Sequence, residues 1–401
     1  MPQAKPDNAG PLKVLFITHN YIRYDGDFSG VFLHLLARRL SEHGVAVTIL
    51  APHDQGLPEF ENIDGINIYR FRYGDDDDET FAYRGDMHRQ LLYNPLNIFK
   101  LFRFIRSAYR EAVKVIENDN IGVVNIHWIV PNGLVGMKLL RKFDGKIKIF
   151  LSSHGTDIRL LTKIPFALAF FRSFIRHCRG WTVVSTFLAS RLSLKDQDLG
   201  KVIKVISLPN DEKLFRPLER IRKDPNLVVA ASRLTAQKRL KYLIEAVRLV
   251  YTEIPSVKLE IYGTGPELDK LNRQIEKSGL LGRVSINEPL PQDALAEVYN
   301  RAGMVVLNSY EEGFGLALTE AMLCRTAVIG ASSGGITGII EHEKTGLLVP
   351  VDNSASLAAA IKRLIRDDNL RDRLAEEGYR KALKKYSSDS SARAYAAMFM
   401  K

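Results

Sequence analysis

The chain has 401 residues, of which 46% are hydrophobic and 26% charged, and a formal net charge of +11. This length exceeds one ordinary domain and predicts two domains of roughly 200 residues each. No apolar run reaches the ~18–20 residues of a membrane-spanning helix, and the N-terminus lacks the apolar core of a signal peptide. The only cysteines, Cys178 and Cys324, give neither a disulfide framework nor metal-ligand spacing. We therefore expect a cytoplasmic globular protein with two buried free thiols.

The positive charge is concentrated in one part of the chain. Residues 84–181 contain 17 Lys/Arg and 6 Asp/Glu, and their net of +11 equals the excess of the whole chain. A concentrated basic surface suggests an anionic partner, such as nucleic acid, acidic lipid or an acceptor that carries pyrophosphate. A solvated basic face without a specific partner explains the same pattern.

In the first half of the chain, apolar runs alternate with helical patterns. Leu12–Thr18 is a largely apolar run, which is typical of a strand buried on both faces. Apolar residues within 31–40 then mark one side of a helix. Further strands are predicted at Val45–Leu50, Ile66–Phe71, Ile121–His127 and Ile147–Leu151. This alternation predicts a doubly wound α/β domain with a parallel sheet.

A second series of the same kind begins near Asn226. Strands are predicted at Leu227–Ala231, Val257–Tyr262, Val284–Asn287, Met304–Asn308 and Ala327–Gly330. Helices are predicted between them at Lys241–Tyr251, Glu267–Lys277, Asp293–Asn300 and Leu316–Leu323. Prolines punctuate the join near Leu208–Pro217. The sequence thus predicts two α/β domains, with ligands bound beyond the carboxyl ends of the strands.

Two loops of the first domain carry candidate site residues. Gly30 lies where the first helix begins, so backbone N–H groups there can approach a phosphate or a sugar. His154, in His-Gly-Thr-Asp directly after a strand, can hydrogen-bond a substrate hydroxyl. An ordinary glycine turn and a structural histidine, with Asp157 as a helix cap, are the simpler alternatives.

The second domain carries the stronger candidates. Arg233 and Lys238 lie in one loop after a strand, where two cations can stabilise a diphosphate leaving group without a metal ion. The segment 309–320 follows the strand Met304–Asn308 and opens a helix, and Glu312 and Glu320 lie within it. Gly313 and Gly315 bracket Phe314 at the helix start, where free N–H groups attract anions. A carboxylate at position 320, about one turn into the helix, can accept hydrogen bonds from a ribose diol.

The remaining loops are less specific. Ser332–Gly335 can approach a phosphate or form a plain turn, and Gly263–Pro266 is more typical of a structural turn. The D-x-D pattern occurs at Asp25–Asp27 and in the acidic run Asp75–Glu79, which we expect to be a solvated loop. No metal cluster, Walker loop or G-x-S-x-G elbow is found in the sequence.

These motifs resemble those of the retaining glycosyltransferases of family 4, with the E-x(7)-E pattern in EEGFGLALTEAM as the most specific element. The resemblance covers nearly the whole chain. It implies the GT-B fold, in which two Rossmann-like domains face each other across a cleft. It also implies a retaining, metal-independent transfer of a hexose-type sugar from a UDP- or GDP-sugar to a glycan or lipid-linked acceptor. We therefore expect no cofactor.

The resemblance also implies roles for individual residues. His154 would contact the transferring sugar, Arg233 and Lys238 the diphosphate, Glu312 the sugar hydroxyls and Glu320 the ribose. Gly30 would border the donor phosphate and the acceptor, and the backbone of Phe314, Gly315 and Leu316 would help bind sugar and phosphate. The implied domains are an acceptor-side domain at 1–207, a donor-binding domain at 208–384, and a C-terminal helix at 385–401 that packs back on the first domain.

Two alternatives remain open. The same two-domain fold serves nucleotide-sugar epimerases, and the basic window could belong to a nucleic-acid-binding module, although it lacks an RNA-binding signature. We prefer to assign the window to membrane docking, because Asn97–Lys114 and Ile164–Arg179 mix apolar and basic positions. The prediction is an enzyme of polysaccharide biosynthesis, peripheral at the inner face of the membrane, with no nucleic-acid partner.

Overall fold

A computed structural model of the chain describes residues 10–24, 26, 27, 29–83, 87, 90, 94 and 96–401. Asp25 of the first D-x-D pattern, and part of the basic window within 84–95, lie outside the described residues. The chain divides into two compact units. The first unit contains the chain up to Val183, Leu192–Ile206 and Ser391–Lys401, and the second contains Val184–Arg191 and Ser207–Ser390.

The first unit is built on an eight-stranded sheet with the order β3-β4-β2-β1-β5-β6-β7-β8. The strands are β1 Leu12–Ile17, β2 Val45–Pro52, β3 Phe60–Ile63, β4 Ile66–Phe71, β5 Val123–His127, β6 Lys148–Ser153, β7 Gly180–Val183 and β8 Ile203–Val205. Neighbouring strands are parallel except β3 and β4. The expected parallel α/β sheet is confirmed, with one antiparallel edge strand added.

The antiparallel pairing of β3 with β4 has a local cause, the turn between the two strands, and it was not predicted from the sequence. Asp64 and Gly65 connect β3 to β4, and both have positive φ values, 52° and 78°. Asp-Gly is a preferred pair for the two-residue turn whose twist matches that of a β-hairpin. The hairpin therefore extends the parallel sheet at one edge.

The helices of the first unit alternate with its parallel strands. They are α1 Val31–Ser41, α2 Asn97–Asn118, α3 Ile129–Phe143, α4 Thr156–Lys163 and α5 Ala167–His177, with a short 3₁₀ helix at Gln197–Lys201. Of all the helices in the described part of the chain, none is both long and apolar enough to cross a bilayer.

The last helix of the chain, which begins in the second unit, supplies core residues to the first. Its side chains Tyr395 and Phe399 are at most 3% exposed and belong to the same hydrophobic cluster as Phe16 and Phe150. The ring of Phe399 contacts Phe16 and Phe150 edge-on, with centroids 6.1 and 5.3 Å away. Burying three aromatic rings in this way contributes several kcal/mol, at about 25 cal/mol per Å² of apolar surface.

The second unit has a six-stranded, fully parallel sheet with the order β11-β10-β9-β12-β13-β14. Its strands are β9 Asp224–Ala231, β10 Lys258–Tyr262, β11 Val284–Asn287, β12 Ala302–Leu307, β13 Ala327–Ala331 and β14 Leu347–Val349. The later helices are α6 Thr186–Ser193, α7 Leu240–Tyr251, α8 Leu268–Lys277, α9 Gln292–Arg301, α10 Leu316–Leu323, α11 Ile336–Ile339, α12 Ser354–Arg366, α13 Asp368–Tyr386 and α14 Ser388–Phe399. The five predicted strands are observed here, because buried parallel strands have apolar runs, whereas the short elements β14 and α11 were not predicted.

Two smaller expectations can be compared with the structure. Cys178 and Cys324 are both free and buried, as predicted. The acidic run is solvated at residues 75–77, but Glu79 is only 2% exposed and hydrogen-bonds the ring of buried His53. The interpretation of the whole run as a solvated loop was therefore wrong at its last residue, because a histidine from β2's end supplies a buried partner.

Candidate active site

Three loops of the second unit, after strands β9, β12 and β13, are joined by hydrogen bonds. The backbone N–H of Tyr310 donates to the carbonyl of Gln237 at 2.9 Å, and the Gln237 amide donates to the carbonyl of Glu311 at 3.2 Å. The Glu311 N–H donates to Ser333 Oγ at 2.9 Å. Residues from all three carboxyl ends thus form one cluster, where ligands of such sheets bind.

Lys238 and Glu312 form an ion pair within this cluster. Lys238 Nζ lies 2.6 Å from Glu312 Oε2, and the side chains are only 16% and 15% exposed. Burial raises the pKa of Glu312, but attraction to Lys238 and hydrogen bonds to the carboxylate outweigh it and leave the pKa lowered. The family resemblance implies contacts of these two residues with different parts of the donor, and their sequence spacing does not predict the pair. Their roles are therefore coupled.

Arg233 is the free cation of this loop cluster. Its side chain is exposed, and no carboxylate of the described residues lies within ion-pair distance. It follows β9 by two residues, at the carboxyl end of the sheet. Since its charge is not neutralised by a neighbour in this part of the structure, the guanidinium can accept an anionic ligand as a bidentate donor.

Helix α10 begins in the same cluster. Gly315 precedes it with a φ of 123°, a value that residues with a Cβ rarely adopt. Phe314 is buried and contacts the ring of Tyr386 edge-on at 5.7 Å, which anchors the helix start. Leu316 is the first helical residue, and N–H groups of a first turn have no acceptor within the helix. The predicted anion-binding geometry is thus present in the backbone.

Glu320 lies in the second turn of α10. Burial raises the pKa of its carboxyl group to about 7, although the Tyr299 hydroxyl donates to Glu320 Oε2 at 3.3 Å and partly offsets the effect. The carboxyl is therefore near its titration point at neutral pH. Tyr299, from α9, was not singled out from the sequence, because a tyrosine in a helix is usually a packing residue.

The glycine loop after β13 supports Glu312. Gly334 has a φ of 62°, and a Cβ at this position would lie 2.4 Å from the carbonyl oxygen of Glu312. The Gly335 N–H donates to that oxygen at 2.7 Å. The close backbone contact accounts for both glycines, so in this structure the loop positions Glu312.

Arg239 is the residue that precedes helix α7. Its φ is 54°, in the left-handed region, which costs about 1 kcal/mol for a residue with a Cβ. The side chain pairs with Asp352 at 3.0 Å and stacks over the Tyr310 ring at 5.5 Å. These contacts offset the backbone cost and tie the loop after β9 to two neighbouring loops.

In the first unit, Gly30 precedes α1 with a φ of 69°. A Cβ there would lie 2.7 Å from the carbonyl oxygen of Asn20 and 2.8 Å from the Cα of Tyr21. The position therefore requires glycine for the packing of its own loop. Its proposed border with the donor phosphate stays a prediction.

His154 follows β6 and lies among aromatic rings. Trp128 and Phe32 have ring centroids 4.3 and 5.0 Å from its ring. Buried Asp157 accepts the backbone N–H groups of His154 and Gly155 at 3.3 and 3.2 Å and so holds the loop in place. Burial lowers the pKa of His154 to about 3, so the ring is neutral at physiological pH.

His127 is a second histidine in this region, and the sequence analysis missed it. Its Nδ1 lies 3.0 Å from His154 Nε2, and its side chain is fully buried. The available signal was the segment Val123–His127 (VVNIH), where two polar residues two apart interrupt a buried strand and so share one face.

One group of the described residues brings three potential metal ligands together. Atoms of His53, Asp76 and Glu79 lie within 4.8 Å of one another. Arg72 pairs with both Asp76 and Glu79, and His53 hydrogen-bonds Glu79. Arg72 already pairs with both carboxylates, so the chemistry of the group fits an ion-pair cluster better than a cation site. The sequence did not predict this group, because His53 is distant along the chain.

Comparison with known proteins identifies the class. The model of glycosyltransferase family 4 matches residues 29–211, and the model of the glycosyl transferases group 1 matches residues 211–381. Two α/β units with parallel sheets, matched by these two models in succession, define a glycosyltransferase of the GT-B fold. The chain belongs to the family 4 glycosyltransferases, so the expected family is confirmed and the transferase is preferred over the epimerase.

Individual relatives align with this chain over nearly their whole length. The chain is 24% identical to the N-acetyl-alpha-D-glucosaminyl L-malate synthase of Bacillus anthracis, with 92% of this chain and 93% of the relative covered. The sucrose-phosphate synthase of Thermosynechococcus elongatus has a similar structure, with a TM-score of 0.78, 20% identity, and coverage of 97% and 98%. Anabaena HepE, solved in complex with UDP-glucose, has a TM-score of 0.70, 17% identity, and coverage of 97% and 99%.

Proposed function

We propose that the protein transfers a hexose-type sugar from a nucleotide-sugar donor, UDP- or GDP-linked, to a glycan or lipid-linked acceptor. The transfer retains the anomeric configuration and needs no metal ion. The observation that carries the proposal is the loop cluster of the second unit, which combines two cations, a helix N-terminus and the carboxylate of Glu320. The structure of HepE in complex with UDP-glucose supports a donor of this class.

Each part of the donor has a matching group in the cluster. The diphosphate is bound by Arg233, Lys238 and the first-turn N–H groups of α10, which stabilise the charge that develops as the sugar bond breaks. Two fixed cations perform the task that a divalent ion performs elsewhere. Glu312 binds sugar hydroxyls, and Glu320 accepts hydrogen bonds from the ribose diol.

Donor binding is expected to depend on pH through Glu320. With a pKa near 7 in the free protein, the carboxyl is mostly protonated at pH 6 and mostly ionised at pH 8. Only the carboxylate can accept from both ribose hydroxyls, so we expect affinity to rise about tenfold over this range. The diphosphate of a nucleotide-sugar stays fully ionised throughout and adds no such dependence.

Thermal-shift titration with UDP-, GDP- and ADP-glucose at both pH values measures this effect. The matching donor should raise the melting temperature by several degrees at saturation, and more at pH 8 than at pH 6. Glu320→Gln should remove the pH dependence, whereas Glu276→Gln, an exposed control on α8, should keep it. If no nucleotide-sugar stabilises the wild type, the proposed donor class is wrong.

We assign the acceptor side to a membrane-proximal location. Phe99, Phe102, Phe166 and Phe170 are 58–87% exposed, and they lie on α2, on α5 and on the residue before α5. Both helices pack against α3. The helices also bury a core-facing stripe, but these four rings lie outside it and stay exposed.

The basic residues beside these rings favour an anionic bilayer as their partner. Arg106 and Lys163 are exposed and have no carboxylate within ion-pair distance among the described residues. Aromatic rings at the interface level, with cations beside them, are the composition that binds acidic lipid. This proposal places the enzyme at the inner face of the membrane, in polysaccharide biosynthesis.

Vesicle flotation checks the membrane proposal. We expect the protein to float with vesicles of equal parts phosphatidylcholine and phosphatidylglycerol, and to bind phosphatidylcholine alone at least about tenfold more weakly. A variant with serine at all four phenylalanines should lose binding, because each inserted ring contributes about 1.5–3 kcal/mol. Phe60→Ser/Leu281→Ser, at exposed apolar positions elsewhere, is the matched control. Equal flotation with both vesicles would contradict the proposal.

A further inference from the structure

A continuous set of hydrogen bonds connects His154 to the interior of the first unit. His127 Nδ1 lies 3.0 Å from His154 Nε2, and His127 Nε2 lies 3.0 Å from Asn125 Nδ2. Asn125 and His127 are both fully buried, and they share one face of β5 because they are two residues apart. Both nitrogens of His127 are therefore occupied.

The direction of each hydrogen bond in this set follows from whether each atom can donate or accept. An amide Nδ2 can only donate, so His127 Nε2 accepts from Asn125. A neutral His127 then carries its proton on Nδ1 and donates it to His154 Nε2. A neutral His154 must in turn carry its own proton on Nδ1. Burial supports neutrality, since it lowers the pKa of both rings far below physiological pH.

Three hydroxyl groups hold the amide of Asn125 in this orientation. Ser152 Oγ donates to Asn125 Oδ1 at 3.1 Å and accepts from Thr182 Oγ1 at 2.8 Å. Tyr395 OH donates to the same Ser152 oxygen at 3.3 Å. Thr182 Oγ1 also lies 3.3 Å from the Leu151 carbonyl oxygen. The amide oxygen of Asn125 thus faces these hydroxyls, and its nitrogen faces His127.

His154 Nδ1 is the last atom of this hydrogen-bonded series. The atom is buried and has no hydrogen-bond partner among the described residues. A buried N–H without an acceptor has a desolvation cost that only an acceptor can offset. The flanking rings of Trp128 and Phe32 offer no strong acceptor. The position follows β6, at the carboxyl end of the sheet, where ligands of α/β domains bind.

We propose that Asn125 and His127 are positioning residues that hold His154 as the neutral Nδ1–H tautomer, which donates a hydrogen bond to a hydroxyl oxygen of a substrate sugar. The ligand half of this inference rests on the proposed function. His154 then acts as a fixed donor and not as a general base, because Nδ1 carries the proton and Nε2 is occupied. His154 neither gains nor loses a proton during the reaction.

The tautomer can be measured without any substrate. Long-range proton–nitrogen correlation spectra of protein labelled with nitrogen-15 histidine distinguish Nδ1–H from Nε2–H rings, and His154→Asn assigns the signal by its loss. We expect His154 as Nδ1–H in the wild type. An Nε2–H ring would overturn the inference, even if no donor is ever found, so this outcome is separate from failure of the proposed function.

Asn125→Asp reverses the polarity with almost no change in shape. If His127 stays neutral, the aspartate accepts from His127 Nε2–H, His127 Nδ1 accepts from His154, and the His154 proton moves from Nδ1 to Nε2. We then expect the His154 signal to change to Nε2–H and kcat/KM to fall about 10- to 100-fold. The same spectra report the His127 ring, and an unchanged His154 tautomer beside a neutral His127 would contradict the proposal. If this variant fails to fold, the wild-type spectrum still decides.

His154→Asn separates positioning from packing. An asparagine amide nitrogen can lie near the place of Nδ1, so this variant keeps a donor that does not depend on His127. We expect it to keep measurable transfer, and we expect adding Asn125→Asp to change its kcat/KM less than twofold, within the error of independent sites. A full loss in the double variant would show that Asn125 acts only through stability and would overturn the positioning role.

Discussion

Replacing Arg233 with alanine is expected to lower kcat by about 100- to 1,000-fold. The guanidinium is exposed, follows β9 and has no ion-pair partner in the described part of the chain. Its charge is therefore available to the diphosphate, whose negative charge grows as the sugar bond breaks. An interaction that strengthens in the transition state lowers kcat when it is removed, whereas KM changes less.

Steady-state kinetics with the best donor measure this effect. Arg273→Ala is the matched control, because Arg273 is an exposed arginine on α8 with no described ion pair. The melting temperature of both variants should stay close to that of the wild type, since exposed side chains contribute little to stability. An Arg233→Ala enzyme with normal kcat would remove this residue from the catalytic group.

Replacing Lys238 with methionine is expected to abolish transfer and to destabilise the second unit by about 3 kcal/mol. Methionine keeps the length of the side chain but leaves the Glu312 carboxylate, 15% exposed, without its counter-ion. The double variant Lys238→Met/Glu312→Gln should recover most of the stability and none of the activity. Chemical denaturation measures the first quantity and a transfer assay the second.

The pH dependence of this loss has a definite sign. In the wild type the pKa of Glu312 is lowered, so the pair stabilises the fold above the unfolded pKa and loses this effect as the pH falls through the folded pKa. Without Lys238, burial raises the pKa of Glu312 against only the remaining hydrogen bonds to the carboxylate, so protonation becomes more favourable. The destabilisation should therefore shrink as the pH falls from 8 towards 5.

A surface pair serves as the control for this experiment. Lys270 and Glu267 lie 2.9 Å apart, but the lysine side chain is 66% exposed. Lys270→Met should cost at most about 0.5 kcal/mol at any pH in this range. A similar cost for both lysines would mean that the Lys238–Glu312 pair is energetically an ordinary surface contact.

Much of the fold could be predicted because buried parallel strands appear in the sequence as apolar runs. Leu12–Ile17 and Val284–Asn287 were recognised in this way, and α10 was recognised by its glycine start. Strands β7 and β8 were missed, because they have only four and three residues and contain Thr182 and Lys204. Short strands are stabilised by the neighbouring strands of the sheet, and a local sequence pattern does not show which strands are neighbours.

The candidate site likewise combines features that sequence spacing predicts with contacts that only the fold brings about. The glycines and acids of 312–320 lie in one segment, so their proximity was predictable from spacing. The Lys238–Glu312 pair joins residues 74 positions apart, and it exists because β9 and β12 are neighbours in the sheet. The contact between His127 and His154 likewise requires β5 beside β6. Sequence spacing alone carries no strand order, so such partners become visible only in the folded chain.

The contribution of the last helix to the first unit affects the order in which the two units can fold during synthesis. Residues 207–390 of the second unit are translated before the segment Ser391–Lys401. Until then Phe16 and Phe150 lack the ring of Phe399, and Ser152 lacks the hydroxyl of Tyr395. The unit whose strands are made first is therefore completed last, and its nascent core needs protection while the rest of the polypeptide is made.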